Sequence, residues 1–207
     1  MITRALPDAA LPLFPLRTVL FPDGLLELKI FEARYLDLIS RCMRERCPFG
    51  VVGLKTGTEA RVSGAAVALF DTGTLAELIE VDSAQANILL VRCRGTQRFT
   101  LGATQQQADG LWLGEATGLA DDPVVAPATS HANVVKSLVD AVASLSAQGV
   151  RPFLEPHRFD SAGWVANRWC EILPLPIDAK YRLLTLPDPL ARLDIVDSLM
   201  RVRHSAH

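Results

Sequence analysis

At 207 residues the chain has room for one large domain or two small ones, and it can bury a substantial core. Hydrophobic residues make up 49% and charged residues 21%, a globular balance that excludes a disordered polymer. The 21 basic and 23 acidic side chains nearly cancel to −2, so no global field draws in nucleic acid or an anionic membrane, and only a local basic cluster could do so.

The first thirty residues are interrupted by Pro7, Asp8, Pro12, Pro15, Arg17 and Pro22. No apolar run there approaches a signal-peptide core or a membrane span. The four cysteines (Cys42, Cys47, Cys93, Cys170) are few and lack a disulfide-scaffold spacing. Together these features imply a reducing, cytoplasmic setting.

From Leu11 to Leu54 the chain reads as strand, turn, strand, amphipathic helix and buried strand. Leu25 to Ile30 is a short apolar strand. Phe31 to Arg46 shifts to helical period, with Tyr35, Leu38, Ile39 and Cys42 on one face. Glu32 suits the positive end of that helix, Arg41, Arg44 and Arg46 the negative end, and Pro48 stops it. Phe49 to Leu54 is a buried strand, and Lys55 to Gly64 an exposed loop or hairpin. Strands are expected at Ala65 to Phe70, Thr74 to Val81 and Asn87 to Arg94, with turns at Asp71-Thr72-Gly73 and Asp82-Ser83. Gly95-Thr96 then leads to a further strand, Gln97 to Leu101, and Leu111 to Leu119 is the last. Many short strands around one helix predict a small, barrel-like antiparallel unit.

Asp121-Asp122-Pro123 and Pro127 mark a boundary near residue 125, after which the periodicity turns helical. Helices are predicted over Ser130 to Gln148, ended by Gly149, and over Ser161 to Leu173, with Asp160 or Ser161 as N-cap and Pro174 as stop. Asp178 caps a short helix through Leu184 to Leu186, and Asp188-Pro189 starts Leu190 to Arg203. Each helix is too short to stand alone in water, so they pack as a cluster. The expectation is an α+β chain: residues 1–125 β-rich, residues 126–207 helical.

The phrases Pro12-Leu13-Phe14-Pro15-Leu16, Leu20-Phe21-Pro22, Ile30-Phe31-Glu32 with Arg34-Tyr35, and Phe49-Gly50-Val51-Val52 closely resemble the opening of the amino-terminal, substrate-binding domain of Lon proteases. Leu89 to Leu101 is similar to that family's strand, glycine and Arg-Phe element, and Trp112 to Asp122 to the strand before its Leu-x-Asp boundary. Asp160 to Leu175, then Asp178, Lys180, Leu183, Leu184 and Arg192-Leu193, resemble its helical end. The resemblance runs from about residue 11 to residue 200. It implies a PUA-like β-barrel amino-terminal subdomain followed by a helical carboxy-terminal subdomain. Ala33 stands where the family often has proline, which touches only the local start of the helix. The 207 residues leave no room for ATPase and peptidase domains, and no Gly-x-x-x-x-Gly-Lys-Ser/Thr occurs, so the likeness is to a free-standing relative.

What the resemblance implies is a cytoplasmic, non-enzymatic module that binds unfolded or apolar polypeptide segments, as an adaptor for a separate protease or as a holdase, in a concave patch such as the subdomain boundary offers. The alternative is an RNA-binding PUA-like domain. Arg92, Arg94 and Arg98 alternate around Phe99 on adjoining strands and could share one face, arginines contacting phosphate and aromatics stacking on bases. The competing reading is a solvated face paired with acids such as Glu77 or Glu80.

No catalytic, cofactor-binding or metal-binding residue is assigned, and no cofactor is expected. Ser161-Ala162-Gly163 echoes the triplet around the nucleophile of Lon peptidases. It nevertheless sits at a predicted helix start, and Lys180 is too close in sequence for that Ser-Lys dyad. Cys42 and Cys47 lie within a predicted helix about 140° apart, unlike the tight loops of zinc pairs. Cys93 and Cys170 are isolated buried thiols. His131 and His157 are read as exposed, His204 and His207 as tail residues, and Glu155 to Asp160 as a mixed-charge loop. Phe14, Phe21, Phe31 and Phe49 could line an apolar groove, although most belong in a core. Trp112 is the better candidate for exposure, and Trp164 and Trp169 would cement the two subdomains.

Overall fold

The computed structural model describes residues 10–57 and 67–205. Most of the Lys55–Gly64 loop and His207 therefore lie outside the described residues. The chain divides into two compact units, residues 1–120 and 121–207.

The first unit contains six strands, β1 (Leu11–Leu16), β2 (Leu25–Ile30), β3 (Phe49–Thr56), β4 (Ala68–Gln85), β5 (Ile88–Gln106) and β6 (Trp112–Gly118), and one helix, α1 (Ala33–Glu45). Their order is β2-β5-β4-β3-β1-β6, and β6 pairs again with β5. That last pairing closes β1, β3, β4, β5 and β6 into a ring. The unit is not wholly antiparallel, because β1 runs parallel to β3. β1 is buried along its whole length despite Pro12 and Pro15. The two prolines survive because β1 is paired in two offset halves, residues 11–13 to β6 and residues 13–16 to β3. Each proline thus has one strand neighbour, and its missing N–H can face the other side.

Three of the expected breaks are absent. β4 runs unbroken through Asp71-Thr72-Gly73 and Asp82-Ser83, and β5 through Gly95-Thr96. The glycines that read as turns are places of close approach. Gly73 is the cross-strand partner of Phe99, and a Cβ at Gly73 would run into the Phe99 ring and lie 2.6 Å from the Val51 carbonyl oxygen. A Cβ at Gly95 would collide with the Phe21 carbonyl oxygen. The true β4–β5 turn is Ala86-Asn87, with Asn87 at φ 62, a left-handed conformation that asparagine tolerates.

Two apolar clusters use the two faces of the strands. Leu11, Leu13, Val52, Leu75 and Phe99 form one. The other gathers Phe14, Phe49 and Val51 with Val91 and Cys93 against Tyr35, Leu38, Ile39 and Cys42 of α1. Phe14 stacks on Tyr35 with ring centroids 3.9 Å apart.

The second unit holds a 3₁₀ turn (Thr129–His131) and four helices, α2 (Ala132–Ala147), α3 (Ala162–Ile172), α4 (Ile177–Thr185) and α5 (Pro189–Ser205). Gly149, at φ 78, follows α2, and Ser161 caps α3. Asp178 lies in the first turn of α4, and its N-cap is Pro176. The Asp188 carboxylate accepts from the Leu190 amide at the start of α5. α3 is buried from Ala162 to Cys170 and is pinned to α2 by Trp169, whose Nε1 donates to the Val134 carbonyl at 3.1 Å. No helix among the described residues is long and apolar enough to cross a membrane.

Candidate functional site

β4 and β5 are long, and their far ends extend past the ring. β3 pairs with β4 only as far as Ala76, so residues 77–85 of β4, residues 88–94 of β5 and β2 form a three-stranded extension. One face of it lies on α1, through Leu26, Leu28, Leu78 and Val91. The other carries a charge ladder whose rows are set by register: Glu27–Arg92–Glu80, Lys29–Leu90–Asp82 and Leu25–Arg94–Glu77. Three cations there oppose four carboxylates. Arg92 is held at 3.3 Å from Glu27 and 3.0 Å from Glu80, and its guanidinium is raised above its ordinary value chiefly by the hydrogen bond to Glu80.

The three arginines do not share a face. Arg94 is exposed on the ladder, whereas Arg98 is buried and its guanidinium donates to the Ala120 carbonyl at 3.2 Å. Between the pairs Ala76–Gly95 and Thr74–Arg98, β5 carries one residue more than β4, and this bulge breaks the simple alternation that would have aligned Arg98 with Arg92 and Arg94.

The four phenylalanines also separate. Phe14, Phe21 and Phe49 are 7%, 0% and 0% exposed, while Phe31 is 65% exposed. Phe31 follows the last residue of β2, whose Ile30 turns into the core, so strand alternation turns Phe31 outward. It is held there by a rigid corner. Glu32 is the N-cap residue of α1 but makes no side-chain cap; its carboxylate instead lies 2.8 Å from Arg34, which also donates to the Gly110 carbonyl at 2.7 Å. Leu90, opposite Lys29, adds a second exposed apolar side chain. β2 pairs only with β5 among the described strands, and antiparallel pairing points the amide N–H and C=O of alternate residues away from the partner. Exposed apolar side chains beside an open, hydrogen-bonding strand edge are the features that accept an extended polypeptide.

The remaining sequence candidates are accounted for by packing. The Ser161 hydroxyl accepts from the Trp164 amide at 3.4 Å. Gly163 of the same triplet makes room for the Asp122 carboxylate, 2.9 Å from where its Cβ would stand. Lys180 donates to the Glu171 carbonyl, at the opposite end of the 11-residue α3 and therefore about 15 Å of helix from Ser161.

His131 is buried, contrary to its reading as exposed. Its Nδ1 accepts from the Ala128 amide at 3.2 Å, so Nε2 carries the proton and donates to Asp194 Oδ1 at 2.7 Å. Both ring nitrogens are engaged, which leaves none to activate a nucleophile. His157 is partly buried beside Phe159 and Trp164, and His204 falls within α5. Trp112 is partly buried against the ring's own apolar cluster.

Cys47 is not in the helix. α1 ends at Glu45, Arg46 adopts the left-handed conformation at φ 50, and the reversal brings the Cys47 sulfur to 4.0 Å from that of Cys42. All four cysteines are free thiols. No group of three or more His, Cys, Asp or Glu side chains that could hold a metal ion occurs among the described residues.

A family model described as the ATP-dependent protease La (LON) substrate-binding domain matches residues 10–202. Among solved structures, a Lon N-terminal domain protein from Xanthomonas campestris is 29% identical, with a TM-score of 0.72 over 92% of this chain and 98% of that one. The N-terminal domain of a Mycobacterium avium complex Lon protease shares the fold, with a TM-score of 0.62, 14% identity and coverage of 91% and 96% of the two chains. No curated protein matches.

Proposed function

Because the chain belongs to the LON substrate-binding domain family, we propose that it is a polypeptide-binding module, and that the extended segment it holds lies along the open edge of β2 with an apolar residue against Phe31. The observation that carries this reading is the 65% exposure of Phe31 at the end of an edge strand, in a unit whose other phenylalanines at Phe14, Phe21 and Phe49 are buried. Backbone hydrogen bonding to the edge would be indifferent to sequence, and burial of the aromatic ring would select apolar segments.

The work requires no bond-making and no cofactor, so we read the module as non-enzymatic. In this reading it acts as an adaptor that delivers polypeptide to a separate protease, or as a weak holdase, in the cytoplasm. The β-rich unit supplies the binding edge. The internally neutralised charge ladder weighs against single-stranded RNA as the ligand.

The test is fluorescence anisotropy with a labelled, permanently unfolded polypeptide and, separately, a labelled single-stranded RNA. Saturable polypeptide binding that changes little between about 0.05 and 0.5 M salt, and that weakens about tenfold in Phe31→Ala, supports the proposal. Polypeptide binding untouched by Phe31→Ala places the ligand elsewhere. Salt-sensitive RNA binding without polypeptide binding overturns the function itself.

A further inference from the structure

The geometry points to Cys42 and Cys47 as a reversible dithiol–disulfide site, oxidised by low-molecular-weight disulfides and closing the end of α1 onto the chain that leads into β3. The two sulfurs are 4.0 Å apart, a separation that a modest side-chain rotation reduces to bonding distance. They are brought together by a specific backbone device, the left-handed Arg46, and not by helical spacing, which would hold them apart. Their exposures differ in the way an attacking and a resolving thiol should: Cys47 is partly exposed, and Cys42 is 2% exposed and packed among Tyr35, Leu38 and Ile39. A small oxidant thus reaches Cys47 first.

The chemistry balances as two thiol–disulfide exchanges. The Cys47 thiolate attacks one sulfur of the small disulfide, forming a mixed disulfide and releasing one small thiolate. The Cys42 thiolate then attacks the Cys47 sulfur, forming the Cys42–Cys47 bond and releasing the second. The protein loses two electrons, and the two cysteine protons go to the two released thiolates, so the small disulfide is reduced to two thiols. Burial, followed by the neighbouring Cys47, pushes the Cys42 thiol up to about 12. The exchange that uses the Cys42 thiolate therefore speeds up as pH rises.

Arg41, Arg44 and Arg46 make this directly testable, because trypsin separates Cys42, in the tripeptide Cys42–Arg44, from Cys47, in the peptide Cys47–Lys55. The full chain is treated with oxidised glutathione, its remaining thiols are alkylated, and it is then digested without reduction. The expected product is the cross-linked pair of these peptides, abolished by dithiothreitol, with Cys42→Ser instead retaining a stable glutathione adduct on Cys47. A persistent Cys47 adduct in the unaltered chain, a Cys42–Cys93 cross-link, or four thiols left free would each overturn the assignment. The map on the unaltered chain decides the question even if the buried Cys42 does not tolerate replacement.

Discussion

Arg192 of α5 grips Asp122 in a two-pronged ion pair, Nη1 to Oδ2 at 2.6 Å and Nη2 to Oδ1 at 3.2 Å, at a position where the arginine is 1% exposed. The same guanidinium donates to Asn167 of α3 at 3.0 Å, to the Leu183 carbonyl of α4 at 2.9 Å, and to the Leu186 carbonyl. One side chain thereby ties three helices to the segment that opens the second unit, and its charge is tolerated because its donors meet fixed acceptors. Asp122→Ala leaves that charge buried without its counter-ion and should cost about 3–5 kcal/mol in denaturant unfolding. Arg192→Lys should also destabilise, since an ammonium cannot reproduce the fork. Retention of full stability in either variant would show that the pair is incidental.

Phe31 and Phe49 offer a contrast within one residue type. Phe49→Ala, at a fully buried site, should cost about 3–5 kcal/mol. Phe31→Ala should change stability by less than about 0.5 kcal/mol while weakening polypeptide binding. Equilibrium unfolding alongside anisotropy separates the two effects.

The Phe99 ring occupies space vacated by glycines on two neighbouring strands. A Cβ at Gly50 would stand 2.9 Å from its Cζ, and one at Gly73 would strike the ring and the Val51 carbonyl. Gly73→Ala should therefore destabilise by about 1–3 kcal/mol through overpacking, despite the ordinary preference for alanine over glycine in a strand. Thermal unfolding measures it.

Burial pushes the thiols of Cys42, Cys93 and Cys170 up to about 12 from the ordinary 9.0. A pKa raised in the folded state means that the unfolded chain ionises first, so this stability is present below pH 9 and is lost as pH rises toward 12. Each thiol should add to a decline in stability with rising pH across that window. Unfolding free energies measured from pH 8 to 11 test the slope, and replacing Cys170 with alanine should reduce it. For the same reason, iodoacetamide near pH 8 should label Cys47 alone in the native chain and all four cysteines after unfolding.

The α+β class and most of the elements were legible in the chain itself, because they rest on local rules. Leu25–Ile30 is a strand by its apolar run, Ser161 and Asp188-Pro189 start helices, and Pro48 forces an end to α1. Phe49–Leu54 could be read as buried on both faces because every residue in it is apolar or glycine. What tertiary structure alone decided is what glycine, charge and aromatic residues do once strands are paired. Gly73 and Gly95 carry the same local signature as turn glycines, and only the position of Phe99 and of the Phe21 carbonyl shows them to be points of close approach inside continuous strands. Arg92 and Arg98 look alike in sequence, but register places one in an exposed acidic clamp and the other in a buried contact to backbone. Phe31 differs from Phe14, Phe21 and Phe49 only in where the corner between β2 and α1 points it. Local sequence specifies backbone preferences residue by residue, whereas exposure and partners depend on chain segments tens of residues away.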